Sequence, residues 1–239
     1  MPAAPHLRSV LEAGLDLLFP PRCVACGRFG EPLCAPCAAG LPPATGEGRC
    51  PNCAAAWDGP LNCPRCLGWV LEGASAAFEM DGPARRVVHG LKYRRVRPLV
   101  PLMARHMQPL RTLRSFDVAY AVPLHRSRVR DRGFNQAELL LAELQWPAGP
   151  GTLARVRRTP TQVGQHLQER RRNVDGAFAY EGPPLSGLRV ALLDDVITSG
   201  ATVNECARVL LDAGARAVVA FAFARASYDP GDTTRAPLD

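Results

Sequence analysis

The alternation of apolar and polar positions predicts strands that alternate with helices after residue 70. Short apolar runs predict strands at residues 75–80, 117–122, 153–157, 176–180, 188–194 and 216–224. Apolar residues at helical spacing predict helices at 84–113, broken by Pro98 and Pro101, and at 135–146 and 200–213. The order of these elements predicts an α/β fold with a parallel sheet and helices on both faces.

The two ends of the chain follow a different pattern. Residues 1–22 read as an amphipathic helix with one apolar face, formed by Leu7, Leu11, Leu15 and Leu18. Glu12 and Asp16 interrupt this segment, which argues against a signal peptide, and no apolar run reaches the roughly 20 residues of a membrane helix. We therefore expect a cytoplasmic protein without a membrane span, ending in a loose tail at 227–239.

Residues 23–70 carry a cysteine pattern in place of core periodicity. Eight of the nine cysteines form four C-x-x-C pairs, a spacing that lets two thiolates reach one tetrahedral metal. The pattern predicts two structural zinc ions, with a disulfide framework as the less favoured alternative because no secretion signal is present. Sequential pairing gives one ion the first four ligands and the other ion the last four, and crossed pairing stays open. The predicted ligands are Cys23, Cys26, Cys34, Cys37, Cys50, Cys53, Cys63 and Cys66.

Charge is concentrated in one part of the chain. The formal net charge is +7, and the 29 basic residues include a single lysine, Lys92. Residues 85–132 hold thirteen basic residues against Asp117 and Asp131. Two tetrathiolate zinc sites would lower the net charge to about +3 without touching this segment, which contains no cysteine. Such a positive field suits a phosphate-rich ligand, either a phosphorylated sugar or a nucleic acid.

The segment VALLDDVITSGAT (190–202) combines three chemical features. The strand ends at Asp194 and Asp195, and a helix begins after a small, hydroxyl-rich loop. Carboxylates accept bonds from sugar hydroxyls, and a helix N-terminus binds phosphate. Neither G-x-G-x-x-G nor a P-loop is present, which argues against dinucleotide and nucleotide-triphosphate sites. The segment predicts a phosphorylated sugar whose phosphate contacts Thr198, Ser199, Gly200, Ala201 and Thr202. An ordinary capped strand–helix connection is the alternative.

VALLDDVITSGAT resembles the phosphoribosyl-pyrophosphate motif of type I phosphoribosyltransferases. Three further blocks resemble the ComF/GntX family: HGLKYRR (89–95), VPLHRSRVRDRGFNQAELLLA (122–142) and RTPTQVGQHLQERRRNVDGAF (158–178). The cysteine-rich segment resembles that family's zinc module in a doubled form. The resemblance implies a double zinc ribbon at 23–70 and a phosphoribosyltransferase-like domain at 71–226.

The resemblance also implies roles for individual residues. Asp194 and Asp195 would bind the 2′ and 3′ hydroxyls, the following loop would bind the 5′-phosphate, and the ligand's own oxygens would hold most of a Mg²⁺ ion. The loop after strand 117–122 matches the pyrophosphate loop, and residues 158–175 match a mobile lid. The basic candidates are Arg126, Arg128 and Arg132 in the pyrophosphate loop, and Arg158, Arg170 and Arg171 as lid cations that stabilise the departing pyrophosphate. A solvated surface charge is the alternative for each arginine. The single lysine, Lys92, is a further candidate because a compact ammonium can approach a phosphate closely, with chance retention as the alternative.

Two functions of different classes follow from the resemblance. One is a phosphoribosyltransferase that acts on an unidentified acceptor, and the other is a non-catalytic sensor of phosphoribosyl pyrophosphate that binds single-stranded DNA. The family implies a role in DNA uptake during natural transformation, with the uptake machinery as partner. Trp69, Tyr93 and Phe134 are the candidate base-stacking side chains, and burial in the core is the alternative for each. We expect Asn135 to cap a helix and Cys206 to be buried.

Overall fold

The computed structural model describes residues 20–59, 63–157 and 174–226. Its centre is a sheet of four parallel strands in the order β1-β6-β5-β2, beside a separate antiparallel hairpin of β3 and β4. The strands are Gly73–Glu79 (β1), Val118–Ala121 (β2), Thr152–Arg155 (β3), Phe178–Glu181 (β4), Arg189–Ile197 (β5) and Ala217–Arg225 (β6).

Six helices of the described residues surround this sheet. They are Ala35–Ala39 (α1), Gly82–Arg94 (α2), Leu99–Met107 (α3), Arg126–Arg132 (α4), Gln136–Leu144 (α5) and Ala201–Asp212 (α6). Two short 3₁₀ turns lie at Pro64–Cys66 and Gln108–Thr112. Within the described ranges, no helix has both the length and the apolar composition needed to cross a membrane.

Both faces of the sheet are buried. Helices α2, α3 and α5 pack on one face, where Leu193 and Phe221 point into the core. Helix α6 and the β3–β4 hairpin cover the opposite face, where Leu192, Ala220 and the buried Cys206 lie. The predicted parallel sheet with helices on both faces is therefore confirmed, as is the burial of Cys206.

The ends of the strands create an opening at one edge. Strand β5 pairs with β6 as far as Ile197, opposite Arg225. Its pairing with β2 stops at Leu193, opposite Ala121, followed by one further bond from the Val122 N–H to the Leu193 carbonyl. Residues 194–197 therefore have a strand neighbour on one side only. Ligands of parallel α/β sheets bind beyond the carboxyl ends of the strands, which is where this opening lies.

The structure corrects several predicted boundaries. β5 continues to Ile197, so both aspartates lie in the strand, because Ile197 still accepts a bond from the Ala226 N–H at 2.9 Å. The predicted break lies at residues 95–98, where Arg95 ends α2 with a left-handed φ of +56° and Pro98 is the N-cap of α3. Pro101 does not break the helix, because it lies in the first turn of α3, where its missing N–H is tolerated.

The arginine-rich segment after β2, predicted as a loop, forms α4 instead. His125 caps this helix by accepting a bond from the Ser127 N–H at 3.2 Å, and Gly133 ends it with φ of +87°. Asn135 caps α5 as predicted, since its Oδ1 accepts from the Ala137 N–H at 3.0 Å. The predicted N-terminal helix, except for residues 20–22, and the tail at 227–239 lie outside the described residues.

Candidate functional site

The eight paired cysteines form two clusters that follow the order of the chain. The first cysteine cluster is Cys23, Cys26, Cys34 and Cys37, and the second is Cys50, Cys53, Cys63 and Cys66. Within each cluster all four sulfur atoms lie within 4.8 Å of one another. Sequential pairing is therefore the arrangement that this structure has, and the crossed alternative is excluded.

The backbone around each leading pair explains how the sulfurs converge. The Gly27 N–H bonds the Cys23 carbonyl at 2.8 Å, and the Ala54 N–H bonds the Cys50 carbonyl at 2.9 Å. The residue that closes each turn is left-handed, with φ of +78° at Gly27 and +56° at Ala54. The first C-x-x-C pair of each cluster thus sits on a tight knuckle turn that presents both thiols to one point, whereas Cys34 and Cys37 lie at the start of α1 and Cys63 and Cys66 lie at the two ends of a 3₁₀ turn.

The sulfur geometry fits zinc and does not fit disulfides. Sγ–Sγ distances are 3.6 Å for Cys26–Cys34, 3.7 Å for Cys50–Cys66 and 3.8 Å for Cys53–Cys63. A tetrahedron with Zn–S bonds of about 2.3 Å has edges of about 3.8 Å, whereas a disulfide bond is about 2.05 Å. These eight thiols therefore form two Cys₄ sites suited to structural zinc.

The acidic pair lies on the last part of β5. Asp195 is almost fully buried, and its Oδ2 lies 2.9 Å from the Nζ of Lys92 on α2. The Asp194 Oδ1 accepts a bond from the Asp195 N–H at 2.8 Å. Burial, together with the charge of Asp195, raises the pKa of Asp194 well above its usual range, and Lys92 acts in the opposite direction. A carboxyl group with a raised pKa can donate as well as accept a hydrogen bond, which suits hydroxyl partners.

Lys92 thus contacts the predicted acidic pair. It reaches Asp195 from the fourth turn of α2, where Leu91 beside it anchors the helix in the core. A single compact ammonium can approach a buried carboxylate closely, which explains why a lysine suits this position.

The loop after β5 leads into the N-terminus of α6. Gly200 is the N-cap, with φ of +78°, and no side-chain bond caps the helix there. The Ser199 Oγ accepts from the Ala201 N–H at 3.3 Å. Residues 198–202 therefore bring hydroxyls and a helix N-terminus to the opening beside β5.

Basic side chains from two other elements surround the acidic pair. Burial lowers the pKa of Arg132 on α4, whereas the charges of Asp195 and Asp194 raise it. The charge of Arg128 lowers the pKa of Arg132 further. Burial and the charge of Arg128 lower the pKa of Arg155 on β3, whereas the charge of Asp194 raises it. Arg128 and Arg132 are thus near the predicted site, whereas Arg126 is exposed at the start of α4. Arg158, Arg170 and Arg171 lie outside the described residues.

Three residues near this site were not assigned to it from the sequence. Arg155 on the hairpin lies near Asp194. Arg225 at the end of β6 donates to the Ile197 carbonyl at 2.8 Å and to the Thr198 carbonyl. Trp69 packs against Gly200. A Cβ built on Gly200 would lie 2.0 Å from the Trp69 ring. The sequence offered one usable indication, because Arg225 is the only charged residue in the run AVVAFAFAR and stands at its end.

The three candidate stacking aromatics have different environments. Phe134 is buried, with the Arg97 guanidinium over its ring, and Trp69 is half-buried against Gly200. Tyr93 is 47% exposed, and Arg132 lies over its ring at 5.7 Å. Tyr93 is therefore the most exposed member of this group.

Comparisons with known proteins agree with both parts of the molecule. A model of the double zinc ribbon domain matches residues 14–67. The DNA utilization protein YhgH of Salmonella typhi is 34% identical over 192 residues, which cover 74% of this chain and 83% of that protein. YhgH of Escherichia coli K12 is 31% identical over 84% of this chain and 93% of its own length. Competence protein F of Haemophilus influenzae is 36% identical over 54% of this chain and 58% of its own length.

Proposed function

Because this chain belongs to the ComF family of competence and DNA-utilization proteins, we propose that it binds phosphoribosyl pyrophosphate with Mg²⁺ and acts in the cytoplasm in DNA uptake. One observation gives the main support for this proposal: the acidic pair and the 198–202 loop lie together at the opening where β5 extends beyond the end of β2. A pentose needs hydroxyl acceptors at one end and a phosphate site at the other, and this juxtaposition supplies both.

The ligand would lie along the tip of β5. Asp194 and Asp195 would bind the ribose hydroxyls, and residues 198–202 would bind the 5′-phosphate. Arg128 and Arg132, on the α4 side, would face the pyrophosphate, with Arg126 as the more exposed third member of that group. The pyrophosphate and ribose oxygens would hold most of the Mg²⁺ shell, because magnesium keeps few protein ligands at such sites.

The proposed chemistry is displacement of pyrophosphate from the anomeric carbon of the sugar. Pyrophosphate leaves with growing negative charge, so cations fixed near it stabilise the transition state. We assign this role to Lys92 together with Arg158 and Arg170, the latter two from the segment that lies outside the described residues. Lys92 would act while paired with Asp195, which keeps its ammonium at a fixed position.

Calorimetric titration with phosphoribosyl pyrophosphate and Mg²⁺ tests the pocket. We expect the double variant Asp194→Asn with Asp195→Asn to bind at least about a hundredfold more weakly, because two carboxylate–hydroxyl bonds contribute about 3 kcal/mol or more together. Asp212→Asn, an exposed carboxylate at the end of α6, is the matched control and should bind like the unaltered protein. Equal affinity of all three proteins would refute the assignment, and release of pyrophosphate with candidate bases or nucleic acids would establish turnover.

A second function, binding of single-stranded DNA, is favoured by the surface where α2 meets α4. Three contacts join the two helices and the turn after α4. The Arg95 guanidinium donates to the Asp131 carbonyl at 2.8 Å, Arg132 covers Tyr93, and Arg97 covers Phe134. Arg94, Arg95, Arg97 and Arg130 of this basic surface are exposed. An exposed tyrosine among arginines is the combination that single-strand binders use for stacking and for phosphate contacts.

Fluorescence anisotropy with a labelled oligonucleotide at several salt concentrations tests this surface. The double variant Arg94→Gln with Arg95→Gln should weaken binding and lower the slope of affinity against salt by about 0.7 for each phosphate that these arginines no longer neutralise. The control Arg208→Gln with Arg216→Gln removes two exposed arginines from elsewhere and should change neither quantity. An affinity independent of salt would exclude the basic surface as a DNA site.

A further inference from the structure

Arg225 connects the second cysteine cluster to the loop of the proposed phosphate site. It is 2% exposed, although it carries a full positive charge. Its Nε donates to the Cys53 carbonyl at 2.8 Å, and its Nη1 donates to the Ile197 carbonyl at 2.8 Å and to the Thr198 carbonyl. One guanidinium thus holds a zinc ligand's backbone and two consecutive peptide oxygens at the start of the loop.

These bonds set the direction of the loop amides. In a trans peptide the C=O and the following N–H point in opposite directions, and the described residues contain no cis peptide. The Ile197 and Thr198 oxygens point at Arg225, so the N–H groups of Thr198 and Ser199 point away from it. Arg225 therefore fixes the side on which these two donors are presented.

The charge of Arg225 is balanced from the second cluster. Burial lowers the pKa of Arg225, whereas the charges of Cys53 and Cys63 raise it. Among the described residues, no carboxylate forms an ion pair with it. A zinc ion with four thiolates carries two net negative charges, since the ligands outweigh the metal. A buried guanidinium is strongly stabilised by such a neighbour, because the surrounding dielectric is low.

Two further contacts bind the segment after the second cluster to the same loop. The Trp69 ring occupies the space that a side chain at position 200 would need. The Val70 N–H donates to the Asn204 Oδ1 in the first turns of α6 at 2.7 Å. The second cluster and the segment after it therefore contact the loop and the start of α6 through Arg225, Trp69 and Val70.

We propose that Arg225 is a positioning residue that makes the amide geometry of the 198–202 loop depend on an intact second cysteine cluster. This inference rests on the proposed phosphate site, and it assigns the second cluster a part in ligand binding that the first cluster does not have. The first cluster instead packs into the core with α2 and α3, where Val24 lies beside Gly90.

The test uses the full chain loaded with zinc and three variants. Arg225→Met removes the donors, Arg225→Lys keeps the charge with one compact ammonium, and Arg114→Met is the matched control. Arg114 also joins the second cluster to the sheet, through the Pro51 carbonyl and the Ser75 Oγ, but it lies away from the loop. Three quantities are measured: zinc per chain, amide hydrogen exchange of residues 198–203 without ligand, and the Kd for phosphoribosyl pyrophosphate with Mg²⁺.

We expect two zinc ions in each variant at saturating zinc, with a graded effect on the loop. Arg225→Met should speed loop exchange at least tenfold and raise the Kd at least tenfold, Arg225→Lys should give a smaller change in the same direction, and Arg114→Met should change neither. Loop exchange that is unchanged in Arg225→Met overturns the inference.

The test remains decisive if Arg225→Met does not fold, or if the unaltered protein does not bind phosphoribosyl pyrophosphate. If Arg225→Met does not fold, Arg225→Lys decides. An ammonium donates from a single nitrogen and cannot occupy the separate positions of Nε and Nη1, so unchanged exchange in this variant would overturn the inference. If the unaltered protein does not bind phosphoribosyl pyrophosphate, the proposed function fails, whereas the exchange measurement still tests the dependence of the loop on Arg225.

Discussion

The two cysteine clusters have the same ligand set and similar knuckle turns, but they contact different parts of the molecule. The first cluster joins the core on the α2 and α3 face, where Cys23, Cys34 and Leu33 are buried with the residues of those helices. The second forms a small cluster of its own with Ala55, flanked by Trp57 and Trp69. Its links to the rest of the chain are polar as well as apolar, and several of them end at the loop after β5.

This difference shows that metal-site chemistry does not determine what a site does for the fold. The first cluster adds apolar contact area to a core that residues of the helices and the sheet also form. The second supplies a carbonyl acceptor and a negative charge to Arg225, and Arg225 donates to carbonyls at the start of the loop. A structural change in the second cluster should therefore change the loop through these hydrogen bonds. We therefore expect damage to the first cluster to change stability and damage to the second to change stability and loop geometry together.

The largest expected effect comes from removing one ligand of each cluster, with Cys34→Ser and Cys53→Ser as a matched pair of buried thiols. Each variant should bind one zinc in place of two, and its free energy of unfolding should fall by at least about 5 kcal/mol, since structural zinc contributes directly to folding. Zinc analysis and denaturant unfolding measure both quantities.

The comparison between the clusters depends on a third measurement of this pair, hydrogen exchange of residues 198–203. Cys53→Ser should speed exchange there, and Cys34→Ser should leave it close to that of the unaltered protein. Equal acceleration in both variants would mean that the loop responds to global stability, and the distinction between the two clusters would disappear.

A smaller effect is expected from adding a methyl group where each cluster touches the domain. Gly200→Ala places a Cβ 2.0 Å from the Trp69 ring at a left-handed φ, so backbone strain and overpacking should together cost about 2–4 kcal/mol. Gly90→Ala places a Cβ 3.0 Å from Val24 and Leu99 inside a helix, where better helix propensity offsets the crowding. Thermal unfolding should therefore show a large loss for Gly200→Ala and a change within about 1 kcal/mol for Gly90→Ala. A reversed order would indicate that the first cluster has the tighter contact.

Local features of the chain were predictable from the sequence. The C-x-x-C pairs form their clusters through short segments of neighbouring residues, and the strands and α6 follow hydrophobic periodicity. The acidic pair and the loop were recognisable for the same reason, because residues 190–202 form one continuous segment. Asn135 was a predictable cap, since its partner is the N–H of Ala137 two residues away.

Long-range contacts were not predictable in the same way. Arg225 and Cys53 are 172 residues apart, and Val70 and Asn204 are 134 residues apart, so no local pattern relates them. The end of β5 was placed three residues early, because its last bonds depend on the partner strand β6 and not on the polarity of the two aspartates. Arg155 was missed because the β3–β4 hairpin lies apart from the parallel sheet whose order suggested the site.

The smallest expected effect tests the hydrogen bond between Val70 and Asn204. Asn204→Ala should cost about 1 kcal/mol, because the Val70 N–H loses its acceptor, and Asn204→Asp should restore stability, because a carboxylate oxygen accepts the same bond. Asn135→Ala, far from the second cluster, is the control and should cost more, since it removes the cap of α5 and also the buried bond from the Asn135 Nδ2 to the Val122 carbonyl at 3.1 Å. Denaturant unfolding should show a loss of stability in both alanine variants, whereas exchange of the Val70 amide should rise in Asn204→Ala alone. If the Val70 amide remains protected in Asn204→Ala, the segment after the second cluster is held by the Trp69–Gly200 contact. The hydrogen bond between Val70 and Asn204 would then not contribute to the connection between the second cluster and the loop.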